Sequence, residues 1–441
     1  MTGLRADKRL RADFTWVLSG NVLYSACQWG IVVVLAKLGS PAQVGEYALG
    51  LAVSAPIVLF ANLQLRALLA SDVNGQFAFG QYLTFRLATL GAALIAVGGL
   101  AAFTQPNAHL ARIVMLVGLA QALEFVSDTY YGLMQRLERM DRISASLILK
   151  GPLSLAALWA AMYLTRSVFW AVVGLLLGRL VVLLMWDSRL GFAKAQKEPP
   201  ATRLEWNTSE MLKLLRMALP LGVISMLVAL NTSIPRYFVE GRLGSAELGI
   251  FSALASLLSA GSLVVAAFGQ SIFLPVARAC AGLDRAKFRS YVGLAAGLGG
   301  ALGGAAVLVS VLFGRDILTH LFRPEYGGRA DILVRLMIAG TVTFIASGLG
   351  YVLTAARSLR PQIPLLVVTA LAGAGISAWS ISRHGLSGAA DAVLVSAMVQ
   401  LAGTGVLILK IDRQLQREAQ ELTAGPGRTG LELRSLKVET T

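Results

Sequence analysis

The chain of 441 residues is 56% hydrophobic and only 14% charged, and its formal net charge is +15. Soluble domains carry roughly 25% charged residues, so the composition excludes a soluble protein and points to a chain that crosses a membrane many times. The basic residues lie in short segments between apolar stretches, where they orient a membrane protein and meet anionic lipid; nucleic acid is not expected as a partner.

Arg5, Lys8, Arg9 and Arg11 precede the first apolar stretch, which reads as a retained span rather than a cleaved leader. A span needs about 20 mainly apolar residues. The pattern predicts Phe14–Ala36, Val44–Leu65, Tyr82–Phe103, Ile113–Met134, Ile143–Leu164 and Val168–Trp186 in a first set. A polar linker, Asp187–Met211, with Lys194, Lys197, Glu198 and Arg203, then leads to a second set. That set is Leu214–Ile234, Ala246–Gln270, Tyr291–Phe313, Ile332–Ala355, Ile363–Ile381 and Ala389–Leu409. Gly314–Asp331 is predicted as an outer loop, and the end of the chain as a charged helix passing into a polar, disordered tail. Lysine and arginine favour the loops on the N-terminal side, which predicts both termini in the cytoplasm.

The two sets share a short motif. Leu38–Leu49 reads LGSPAQVGEYAL and Leu243–Ala253 reads LGSAELGIFSA; with a gap at Pro41, Gly45 pairs with Gly249 and Tyr47 with Phe251. Each copy opens the second span of its set. A duplicated multi-span unit marks transporters whose site lies between the repeats. The expected organisation is therefore all-α: a six-helix lobe with linker over 1–200, a six-helix lobe over 201–412, and a tail over 413–441.

Within the fourth span, Gln121, Glu124, Asp128, Tyr131 and Gln135 follow i, i+3, i+7, i+10 and i+14, one stripe on a helix. An ionised side chain near the bilayer centre costs about 2.5–3.5 kcal/mol, so the stripe is expected to line a wet cavity. A carboxylate at Glu124 suits a proton, a sodium ion or an arginine partner; Asp128, nearer the span end, also suits a boundary. Asn21, Tyr24 and Gln28 repeat the pattern in the first span, either at the cavity or as hydrogen bonds between helices.

Arg66 and Arg86 flank one short loop, where two guanidiniums can clamp a phosphate or simply anchor the chain. Lys150 and the deeper Arg179 either face the cavity or snorkel to the interface. Arg236 is the corresponding strong cation of the second set. The spacing of Gly293 and Gly297 suggests close helix packing. No zinc spacing, phosphate-binding glycine loop or nucleophile elbow occurs, and neither a catalytic domain nor a metal or other cofactor is expected beyond H+ or Na+ coupling.

The segments Leu63–Asp72 with Phe79–Leu87, Gln135–Ser146 and Ile234–Ala253 resemble the polysaccharide biosynthesis, or Wzx-type, oligosaccharide flippases. These belong to the multidrug/oligosaccharidyl-lipid/polysaccharide (MOP) exporter superfamily. The resemblance implies a MATE-like V of two lobes around a cationic cavity. It also implies export of an undecaprenyl-diphosphate-linked glycan across a bacterial cytoplasmic membrane, with glycan polymerase and other envelope proteins as possible partners. Arg66, Asp72, Arg86 and Arg236 fall at family-like positions. The alternative is a cation-coupled multidrug exporter of the same superfamily.

Overall fold

The structure, a computed structural model, describes residues 2–72, 75–104, 107–189, 204–356, 358 and 360–424. The linker charges Lys194, Lys197, Glu198 and Arg203 and the end of the chain past Ala424 lie outside the described residues. Every element among the described residues is helical, as an apolar solvent requires, because it offers the backbone no hydrogen bonds of its own. Among the described residues, twelve helices are long and apolar enough to cross a membrane, and each coincides with one predicted span. They are Ser19–Leu38, Pro41–Ser71, Phe79–Thr104, Ala108–Arg136, Met140–Thr165, Val168–Asp187, Thr208–Leu243, Ser245–Ala281, Arg285–Leu321, Ala330–Ala355, Gln362–His384 and Leu386–Gln420, the first to twelfth spans below.

The helices overrun the apolar windows, since hydropathy measures membrane thickness and not where a helix stops. The predicted loop Gly314–Asp331 is therefore mostly helical: the ninth span continues to Leu321, and a short helix, Pro324–Gly327, precedes the tenth. The second span starts at a capping box. Ser40 accepts from the Gln43 backbone and Gln43 accepts in return from that of Ser40, with Pro41 in the first turn. It breaks at Leu63 and Gln64, both left-handed, before a final helical turn pair over Leu65–Ser71.

Packing repeats along the chain. The first span packs on the fifth and the fifth on the sixth, as the seventh packs on the eleventh and the eleventh on the twelfth. The fourth gathers the second, third and sixth, as the tenth gathers the eighth, ninth and twelfth. Between the two sets, the second span carries most of the contact, lying against the seventh and eighth. The largest core cluster accordingly joins Tyr47, Ala48 and Leu49 to Val239, Leu248 and Phe251.

The repeated motif forms this junction. A Cβ added at Gly45 would stand 2.7 Å from the carbonyl carbon of Ser245 and 3.1 Å from the nitrogen of Gly249. Reciprocally, one at Gly249 would stand 2.7 Å from the carbonyl carbon of Pro41 and 2.9 Å from the nitrogen of Gly45. The second and eighth spans thus cross backbone to backbone at the paired glycines. The glycine pair expected to pack, Gly293 and Gly297, does not: nothing lies within 4 Å of either Cβ position. Close packing falls instead on Gly299 and Gly303, against Phe344, Ile345 and Thr341 of the tenth span. The same four-residue spacing recurs along the ninth span, and the face turned to the neighbour decides which pair is used.

Candidate functional site

A cavity of about 330 Å³ opens between the first, second, fourth and sixth spans. Its polar wall is Tyr24, Gln28, Gln121, Glu124 and Arg179, with Tyr47 and Leu51 among its apolar lining. Two of the stripe residues, Gln121 and Glu124, are therefore at the cavity, and Gln121 also donates to the Ser54 hydroxyl at 2.6 Å. In the first span Tyr24 and Gln28 face it. Asn21 is exposed and outside the lining.

Arg179 does not snorkel. Its side chain is 8% exposed. Nη1 donates to the Ala120 carbonyl at 2.7 Å and Nη2 to Gln28 Oε1 at 3.1 Å, while Nε faces Glu124 Oε2 at 3.6 Å. Lys150 does not snorkel either. It is fully buried, and its ammonium donates to the Tyr131 hydroxyl at 2.7 Å. It lies 3.3 Å from Asp187 Oδ2 and 3.8 Å from Glu124 Oε1. Both cations would be costly to bury alone, and each finds a carboxylate. The group of Lys150, Arg179, Glu124 and Asp187 is formally neutral, so the expected cationic wall is compensated from within.

Asp187 is the member that sequence reading missed, since a span judged by hydropathy ends at the first charge after Trp186. It is 2% exposed and accepts from Ser146 Oγ at 2.5 Å. A π-helical turn, Leu183–Asp187, closes the sixth span. On an uninterrupted α-helix Asp187 would stand about 80° round from Arg179. The wider turn rotates less per residue and returns it towards the face that carries Arg179 and meets Lys150. Such turns recur at functional sites, yet no hydropathy pattern signals them.

The rest of the stripe serves other partners. Arg66 donates to Asp128 at 3.0 Å and to Gln135 at 3.3 Å, and its guanidinium lies 5.6 Å from the centre of the Tyr131 ring. The ammonium of Lys150 lies 4.8 Å from the same ring; Tyr131 thus joins the Arg66 pair to the buried group through cation–π contacts. Arg86 differs from expectation. It is fully buried and makes no clamp with Arg66: Nε donates to Thr129 at 2.9 Å and Nη1 to the Asn62 carbonyl at 2.7 Å. The carbonyl of Asn62 is freed where the second span breaks, so Arg86 caps that break. Asp72 is likewise local, accepting from the backbone of Gln76 at 2.8 Å and Phe77 at 3.1 Å. Arg236 stands apart in the seventh span, donating to the Thr232 carbonyl at 2.9 Å. No group of His, Cys, Asp and Glu suited to a metal occurs among the described residues.

Residues 10–278, more than half of the chain, match the family model described as polysaccharide biosynthesis protein. The capsular polysaccharide biosynthesis protein CapF of Staphylococcus aureus is 26% identical over 394 residues, covering 88% of this chain and 96% of that protein. Among solved structures, the inward-facing conformation of a multidrug resistance MATE family transporter of the MOP superfamily aligns with a TM-score of 0.70 at 14% identity. That match covers 91% of this chain and 99% of the other. The lipid II flippase MurJ, in its inward closed conformation, aligns with a TM-score of 0.64 at 10% identity, over 96% of this chain and 95% of that one. At these identities the two structures speak for the fold alone, which this chain shares with both.

Proposed function

The chain belongs to the polysaccharide biosynthesis protein family, and from that membership we propose that it is a transporter of lipid-linked oligosaccharide. The cargo is an undecaprenyl-diphosphate-linked glycan, moved from the inner to the outer leaflet of a bacterial cytoplasmic membrane by alternating access between two six-span lobes. Both termini lie in the cytoplasm, and the exported glycan passes to a polymerase or other envelope assembly protein. The name of the capsular relative and the lipid II flippase among the fold neighbours support this class of cargo.

The observation that carries the reading is Arg179 in the cavity wall. Two of its nitrogens rest on neutral acceptors, and Glu124, its carboxylate contact, is shared with Lys150. Protonation of Glu124 leaves the group with one positive charge in excess, at Arg179, because Lys150 keeps Asp187; a phosphate oxygen of the diphosphate can then take the place of the carboxylate in a site where unpaired charge is expensive. Moving one negative charge outward across an inside-negative membrane gains about 2.3 kcal/mol per 100 mV, so voltage favours the same direction.

The test is the leaflet distribution of the lipid-linked glycan in cells that lack the gene and in cells complemented with it. Loss should trap the glycan in the inner leaflet, and complementation should restore it outside. Normal glycan export in the deletion strain, with lost efflux of a cationic dye, would replace this reading by drug export.

A further inference from the structure

We propose that Lys150, Tyr131, Ser146 and Asp187 form a proton relay that connects Glu124 at the cavity to the end of the sixth span. The relay rests on the transport reading above and adds the route by which a coupling proton leaves the cavity.

Donor and acceptor chemistry fixes the polarity of the chain. An ammonium can only donate and a carboxylate can only accept. Lys150 donates to the Tyr131 hydroxyl at 2.7 Å, and Ser146 donates to Asp187 at 2.5 Å. The Tyr131 and Ser146 hydroxyls, 2.8 Å apart, must therefore align with Tyr131 as donor. The outcome is an unbroken run of hydrogen bonds in one direction, from ammonium to carboxylate. The direct contact between Lys150 and Asp187, at 3.3 Å, does not replace it: Oδ2 of Asp187 is buried and receives no hydrogen bond.

In the transfer, Asp187 takes the Ser146 hydroxyl proton, Ser146 takes that of Tyr131, and Tyr131 takes one from the Lys150 ammonium. Each hydroxyl ends with one proton, Lys150 becomes an amine, and Asp187 becomes a carboxylic acid. The amine then takes a proton from Glu124, 3.8 Å away, which had received it from cavity water. One proton has moved from Glu124 to Asp187, and its release at the span end lets the hydroxyls turn back. The charged and titratable groups facing the relay are Arg179 and Tyr24 at Glu124, Arg66 over the Tyr131 ring, and Tyr130 near Asp187.

The test uses the full chain in phosphatidylethanolamine/phosphatidylglycerol vesicles loaded with pyranine, with and without undecaprenyl diphosphate, under a potassium diffusion potential. Wild-type vesicles should carry protons in at least one of the two lipid mixtures. Ser146→Ala, Tyr131→Phe and Asp187→Asn should each slow that flux roughly tenfold or more. Ser144→Ala, which removes a buried hydroxyl outside the chain, should leave it unchanged. Thermal unfolding of each variant identifies any that fail to fold, and Ser146→Ala, the smallest change, is the deciding one. Wild-type flux in folded Ser146→Ala and Tyr131→Phe overturns the relay, as does the absence of proton flux from wild type in both mixtures. Failure of the transport reading shows separately, as an undisturbed glycan distribution in cells lacking the gene.

Discussion

Gly249→Ala gives the sharpest test of how the two sets of spans meet. The added carbon would lie 2.7 Å from the Pro41 carbonyl carbon and 2.9 Å from the Gly45 nitrogen, and closer still to the Pro41 oxygen. The obstructing atoms are all backbone, so no rotamer change can relieve them and the two helices must separate. Overpacking of this kind costs about 1–3 kcal/mol, and the absence of a yielding side chain places it at the upper end. Alanine also favours a helix over glycine by about 0.5–1 kcal/mol, which is too little to offset the clash. Gly241→Ala is the matched control, since nothing lies within 4 Å of its Cβ position; it should raise stability slightly. Tryptophan fluorescence of detergent-purified protein, heated at a fixed rate, reads the comparison. Gly249→Ala should unfold several degrees below wild type, and Gly241→Ala at or above it. Adding Gly45→Ala should cost less than it does alone, because both substitutions force open the same contact. Equal stability of Gly249→Ala and Gly241→Ala would refute a backbone-to-backbone crossing at the repeat.

Arg179→Ala should block glycan export at normal membrane protein level, and Arg179→Lys should rescue it only in part because the fork to Ala120 and Gln28 is lost; leaflet analysis of the lipid-linked glycan is the measure. Arg86→Ala should instead lower thermal stability, since it strips the Asn62 carbonyl of a buried donor. In a background with Cys27 and Cys280 replaced by serine, cysteine at Gln121 should react with a water-soluble thiol reagent, while cysteine at the buried Ala122 should not. Reporter fusions after Arg417 should read cytoplasmic and after His109 external; the reverse would invert the orientation.

Much of the site could be read as a face of a helix but not as a set of partners. The stripe from Gln121 to Gln135 follows from helical spacing, and its carboxylates had to avoid lipid. Spacing is silent on what waits opposite. Asp128 meets Arg66, Glu124 lies between Lys150 and Arg179, and Tyr131 reaches Ser146 across to the fifth span. Cations that looked like a ready anion site prove compensated, and Arg86 closes a helix break that no composition signal announces.

The membrane class, the twelve spans and the repeated motif are properties of the sequence itself. They depend on local quantities: apolar residues long enough to cross a bilayer, and two short segments that match. Tertiary structure decided everything that depends on distance between segments. It set Gly45 on Gly249, used Gly299 and Gly303 rather than Gly293 and Gly297, and turned Asp187 inward through a π-helical turn to face Lys150. The physical reason is that lipid contact selects a residue's character one at a time, whereas burying a charge or crossing two backbones requires a particular partner within a few ångströms.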